Sequence, residues 1–250
     1  MKKMGSVLVA YSGGVDSTFL LKVAKDVLGK DVLAVTADSP TYPKDELIFS
    51  RKAARAMGVK HKIIRTAEDK NPLFRANPRN RCYYCKKELF GRLKKIAGQE
   101  KIKFVVDASN ISDQSDYRPG SLARKKLAVR SPLAEAGFTK QDIRQESKKL
   151  RLSTWQKPSL ACLASRIPYG TKISPVILSR IEKAENIIKG LGFGQVRVRH
   201  YNGLCRIEVD KPALPKLLAK KNLFVEKFKT LGYNYITVDL EGYRTGSMNI

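Results

Sequence analysis

Apolar positions in the first half of the chain fall into short solid runs separated by longer stretches with helical spacing. Val7 to Tyr11 is too short for a helix. It is followed by a glycine turn and then by Phe19, Leu20, Val23, Ala24, Val27 and Leu28, which recur with helical period. The alternation repeats: Val32 to Thr36 reads as a strand, Glu46 to Met57 as a helix, His61 to Arg65 as a strand, Lys86 to Ile96 as a helix and Phe104 to Ala108 as a strand. Strands alternating with helices build a parallel sheet covered on both faces, so the fold class is α/β, and ligands are expected beyond the carboxyl ends of the strands. Asn71 to Arg81, with Pro72 and Pro78 and no period, reads as a long functional loop ending at Cys82. Thr139 and Asp142 stand at capping-box spacing ahead of a helix from about Lys140 to Leu150.

Past this point the pattern changes. Ser174 and Pro175 form a cap followed by proline at the first helical position, opening a helix that runs to Gly190. Val196 to Tyr201 and Leu204 to Val209 flank Asn202-Gly203, a strong hairpin signal. A helix near Leu214 to Lys220 and a strand from Tyr235 to Leu240 complete a small C-terminal α+β domain. The expected organisation is a first domain over 1–153, a linker that also contributes to the site over 154–172, and a second domain over 173–250.

Charge narrows the partners. Lys plus Arg number 49 against 23 Asp plus Glu, a net charge of +26. Such a field attracts RNA or phosphorylated small molecules. The lysines are dispersed with no basic arm, so a nucleic-acid surface is not favoured over a Lys-rich solubilising one. The opening MKKMGSVLVAY lacks a cleavage site and reads as a buried strand, and no apolar run reaches membrane-spanning length. Four cysteines in such a chain suit metal or sulfur chemistry in the cytoplasm better than disulfides. A homo-oligomer stays open.

Ser12-Gly13-Gly14-Val15-Asp16-Ser17 lies between the first strand and the first helix. Its glycines let backbone N–H groups close around an anion, the helix start adds positive potential, and Ser12 and Ser17 add hydroxyl donors. No Gly-Lys-Ser/Thr follows, so the lysine that grips terminal phosphates in a Walker loop is absent. The loop therefore suits ATP that loses pyrophosphate intact, with Asp16 serving magnesium. Arg118, in the polar run Asp113 to Gly120, and Arg130, before Ser131-Pro132, read as cations at the carboxyl edge of the sheet, where substrate or ATP phosphates would lie.

The hexapeptide resembles the SGGxDS signature of the PP-loop ATP pyrophosphatases, whose shared step is adenylation with release of pyrophosphate. With SRIPYGT (Ser165 to Thr171), VRVRHYN (Val196 to Asn202), DYRPG and the terminal DLEGYRTGSMN, nearly the whole chain resembles the LarE family of ATP-dependent sulfur transferases of nickel-pincer nucleotide synthesis, which act in maturation of lactate racemase. The resemblance implies a pyridinium dicarboxylate mononucleotide as substrate, each carboxylate being adenylated and converted to a thiocarboxylate. It also implies that Glu185, Arg197, Arg199 and Arg244 form the substrate-phosphate site. Arg197 and Arg199, two apart on a strand, share a face, and paired guanidiniums suit a phosphate.

Sacrificial members of that family donate sulfur from one cysteine before the SRxPYG segment. Here that place is held by Ala161, with Cys162 one residue later. Cys82, Cys85 and Cys162 can instead hold three corners of a [4Fe-4S] cluster and leave one iron to bind exogenous sulfide, an arrangement that looks like that of cluster-dependent relatives. Zinc and unligated thiols are the rival readings, and Cys205 reads as a small core residue. The competing functions are an iron-sulfur tRNA thiolase and a carrier of sulfide or metal. The identity of the sulfur donor stays open.

Overall fold

The first apolar run becomes β1 (Val7–Ala10), whose Val7, Leu8 and Val9 are fully buried. Residues buried on both sides of a strand need a layer on each face of the sheet. The computed structural model describes residues 1–113, 119–159, 161–244 and 247–248, and supplies both layers. After β1 come α1 (Val15–Leu28), β2 (Val32–Asp38), α2 (Lys44–Ala56), β3 (Lys60–Arg65), α3 (Pro72–Arg75), α4 (Arg81–Gln99), β4 (Phe104–Val106), α5 (Gly120–Lys126), α6 (Pro132–Glu135) and α7 (Lys140–Lys149). The four strands are parallel in the order β3-β2-β1-β4. One core joins Val7 and Val9 to Phe19, Leu20, Ala54 and Ile143, and the other joins Leu8 and Leu33 to Phe90, Leu93 and Ala123. The α/β class expected from the alternation is thus observed.

The later part of the chain forms α8 (Pro175–Lys189), the hairpin β5 (Val196–Tyr201) and β6 (Leu204–Val209), α9 (Leu214–Ala219), α10 (Lys221–Thr230) and β7 (Tyr235–Val238). β6 pairs antiparallel with β5 and parallel with β7. Asn202 and Gly203, with φ of 40° and 96°, take the positive values that a tight two-residue hairpin turn requires. Ser174 accepts from the Ile177 N–H at the head of α8, as the cap pattern predicts.

The chain divides into two compact units, 1–74 with 79–160, and 75–78 with 161–250. The strip 75–78 is tied to its unit by Asn77, whose amide donates to the carbonyls of Pro168 at 2.7 Å and Thr171 at 3.0 Å. Two sequence expectations need correction. Asn71 to Arg81 is not a continuous loop: the Asn71 carboxamide accepts from the Leu73 N–H at 2.9 Å and caps the helical turn α3, with Pro72 at its first position. The following helix begins at Arg81 and not near Lys86, so Cys82 lies in its first turn and not at a loop end. That turn carries no apolar period because the anchors Phe90, Leu93 and Ala97 lie further along. Among the described residues no helix is long and apolar enough to cross a membrane.

Candidate active site

The loop after β1 leaves the sheet between β2 and β4, where chain connections depart to opposite sides, the position at which open α/β sheets bind ligands. Gly13 has φ 67°, and a Cβ there would stand 3.2 Å from Ser50 Cβ and 3.3 Å from the Phe49 ring, so glycine is required by both backbone and space. Gly14 caps α1 with its backbone alone. The Ser12 and Ser17 hydroxyls lie 3.0 Å apart, and Ser17 Oγ accepts from the Ser12 N–H at 3.2 Å. Asp16 follows in the first turn of α1. One of its oxygens is paired with the Lys140 ammonium, while the buried Oδ1 has no hydrogen-bond partner in the described structure. A buried carboxylate oxygen without a donor is costly in a folded protein and fits a cation that arrives with the ligand.

Three elements distant in sequence close on this loop. Lys140, first residue of α7, is aimed by a capping box in which Thr139 Oγ1 and the Asp142 N–H, and Asp142 Oδ2 and the Thr139 N–H, bond reciprocally. Lys157 donates to the Gly13 carbonyl at 3.1 Å and to Glu46 at 2.6 Å, with its ammonium 3.6 Å from the centre of the Phe49 ring. The Tyr42 hydroxyl donates to the Ser12 carbonyl. Lys140, Lys157 and Tyr42 were invisible to motif reading because none lies in a recognisable pattern; only the capping box before Lys140 gave a local signal. At the end of β4, Asp107 accepts from Ser109 at 2.9 Å and from Ser131 at 2.5 Å, with Arg124 also bonded to Ser131.

Arg118 lies outside the described residues. Arg130 is corrected: its backbone bridges Val106, but its guanidinium stacks over Phe104, the first residue of β4. It also pairs with Glu135 and lines a cavity of about 500 Å³ with Met1, Lys2, Lys3, Met4 and Val27. It therefore faces the amino ends of the strands and not the carboxyl edge.

Within the second unit, Glu185 is 1% exposed and accepts from Arg166 at 2.9 and 3.1 Å and from the Val198 N–H at 3.1 Å. Arg199 is committed to Glu208 by a two-pronged pair at 2.9 and 2.6 Å, and Arg206 shares that carboxylate at 3.1 Å. Arg197 is buried with its guanidinium 5.1 Å from the centre of the Tyr243 ring, and burial with nearby Arg166 holds its pKa below the usual arginine value. Arg244 is half exposed and paired with Glu241 at 2.5 Å. These side chains form a balanced lattice of charges rather than a set of bare cations, a property that strand spacing cannot reveal.

None of the four cysteines is in a disulfide. Cys82, in the first turn of α4, and Cys85, three residues on, are neighbours on one face. Cys162 caps the short turn Leu163–Arg166, its carbonyl held by Arg166 at 2.9 Å. Cys205 is fully buried in the second core, and burial pushes its thiol up to about 12. Three of the thiols thus lie outside the hydrophobic cores and one is sealed within a core. Among the described residues no three His, Cys, Asp or Glu side chains are gathered as for a single metal ion.

The asparagine synthase family profile matches residues 1–78, the segment holding the phosphate loop. A pyridinium-3,5-bisthiocarboxylic acid mononucleotide synthase of Lactiplantibacillus plantarum is 36% identical over 100% of this chain and 91% of its own length. The chain belongs to the LarE family. Other relatives of similar extent are an uncharacterized protein of Synechocystis, 43% identical over 99% of this chain and 93% of its own, and one of Methanocaldococcus jannaschii, 30% identical over 97% and 92%. This LarE-family chain thus shares both of its units with these relatives, whereas the profile match is confined to the nucleotide end.

Proposed function

We propose that this protein is a cytoplasmic ATP-dependent sulfur transferase that adenylates the carboxylates of a pyridinium dicarboxylate mononucleotide and converts them to thiocarboxylates. The observation that carries the reading is the full-length similarity to the synthase, together with a phosphate loop that has backbone donors but no Walker lysine. Gly13, Gly14, Ser12 and Ser17 bind the β and γ phosphates of ATP as one leaving group. Asp16 would hold magnesium, with the Lys140 ammonium orienting its carboxylate. A substrate carboxylate oxygen then forms a bond to the α phosphorus as pyrophosphate leaves. A sulfide sulfur next bonds to the acyl carbon as AMP leaves with the oxygen.

Cys82, Cys85 and Cys162 would hold a [4Fe-4S] cluster, which when bound supplies an exchangeable sulfide on its fourth iron. Arg197, Arg199 and Arg244 hold the substrate phosphate in this reading, with Glu185, the fourth residue of that site, and Glu208 keeping the buried guanidiniums in place until the anion arrives. The test is turnover by anaerobically purified protein given ATP, magnesium, sulfide and the dicarboxylate mononucleotide. AMP, pyrophosphate and thiocarboxylate are expected, and Asp16→Asn should remove most of the AMP formed. ADP as the main product ends the reading, and thiolated RNA in place of thiolated nucleotide replaces it with a tRNA thiolase.

A further inference from the structure

Lys157 and Tyr42 come from segments far from the phosphate loop, and both spend their donors on consecutive loop carbonyls. Tyr42 donates to the Ser12 carbonyl and Lys157 to the Gly13 carbonyl. In a trans peptide the C=O and the N–H of the next residue point in opposite directions. A donor that holds the Ser12 carbonyl outward therefore turns the Gly13 N–H inward, and one that holds the Gly13 carbonyl outward does the same for the Gly14 N–H. The Gly14 N–H has only a weak partner in the loop, Ser12 Oγ at 3.4 Å, as suits a donor kept for a better acceptor.

The two clamps are themselves fixed. Lys157 crosses α2 between Glu46 and Phe49, which are one turn apart, and is largely buried there. Arg144 holds the backbone on either side, donating to the carbonyls of Trp155 at 2.6 Å and Lys157 at 2.9 Å. The Tyr42 phenol has its pKa raised by burial and by Glu46, so its hydroxyl remains a proton donor throughout the physiological range. Glycine at positions 13 and 14 leaves these peptides able to rotate, so something outside the loop must choose their orientation.

We infer that Lys157 and Tyr42 are positioning residues that pre-set the phosphate loop for a pyrophosphate-sized anion, fixing two backbone N–H groups inward without touching the anion. This rests on the proposed use of the loop for ATP phosphates and assigns to remote side chains the ordering that the loop sequence lacks. The Walker lysine would act on the phosphate directly; here an ammonium acts on the peptide behind it.

The test uses the full chain and inorganic pyrophosphate with magnesium, by calorimetry, with adenosine titrated as a control. Tyr42→Phe and Lys157→Met should each weaken pyrophosphate binding about tenfold, the effect of misdirecting one donor to a charged acceptor, with adenosine binding within about twofold of wild type. Lys157→Arg should restore most of the loss. In wild type the Gly13 and Gly14 amide resonances should move on adding pyrophosphate, and in each variant the amide behind the lost clamp should move less. Unchanged pyrophosphate affinity in both variants overturns the clamp and leaves the phosphate loop standing. So does parallel loss of adenosine binding, or failure of arginine to restore binding, either of which would mark a general packing defect. Wild type that binds no pyrophosphate, with both amides unmoved, overturns the clamp and the ATP reading together.

Discussion

Arg166 is 1% exposed, and all three of its guanidinium nitrogens donate: Nε and Nη2 to Glu185, and Nη1 to the carbonyls of Ala161 and Cys162 and to Ser165. Removing one partner of such a pair leaves a buried charge with fewer donors, which costs far more than the pair itself is worth. Arg166→Met should lower stability by about 3–5 kcal/mol in urea unfolding, and Arg166→Met with Glu185→Leu should recover a large part of that loss. A single change that costs under about 1 kcal/mol would show that water reaches the site. Because the same guanidinium holds the Cys162 backbone, the single variant should also lose sulfur transfer before it loses AMP formation. The sequence showed Arg166 only as part of a resembling motif; its burial and its partner, 19 residues away on α8, are tertiary facts with no local trace.

Helix α7 presents Lys140 to Asp16 because its first turn is locked by the Thr139–Asp142 capping box. Thr139→Ala should cost about 1 kcal/mol of stability, measurable as a lowered thermal midpoint, since one first-turn N–H loses its acceptor. It should also raise the magnesium concentration needed for half-maximal AMP formation, because the ammonium that orients Asp16 is then less well aimed; an unchanged magnesium requirement would detach Lys140 from the site. Elements of this kind were legible in the sequence: the box, the Ser174-Pro175 start and the Asn202-Gly203 hairpin are local chemistries that act wherever they occur. What failed to show was structure without a period. α10 (Lys221–Thr230) rests on Phe224 and Phe228 alone, surrounded by lysines, and the start of α4 carries Cys82-Tyr83-Tyr84-Cys85, whose side chains lie mostly outside the core. The site divided the same way. Its loop was readable because glycine and serine act through the backbone next to them, whereas Lys140, Lys157 and Tyr42 reach it only after the sheet has formed.

Over the whole molecule the net charge of +26 acts at a range that no single contact sets. Nucleic acid is expected to accompany the protein at low ionic strength and to leave it as salt is raised, since binding that rests on phosphate charge falls steeply with salt. RNA retained at about 0.5 M salt, where the screening length falls to a few ångströms, would instead mark a built RNA surface. The strip 75–78 has another consequence. It belongs to the second unit yet is embedded in the chain of the first, and Asn77 supplies the donors for carbonyls that lie about ninety residues later. A ribosome therefore delivers these four residues long before their partners exist, and a fragment cut at residue 161 would be born without them. In evolutionary terms the second unit is not a cassette to be exchanged by simple fusion at its boundary: any transplant must carry a short stitch from inside its neighbour.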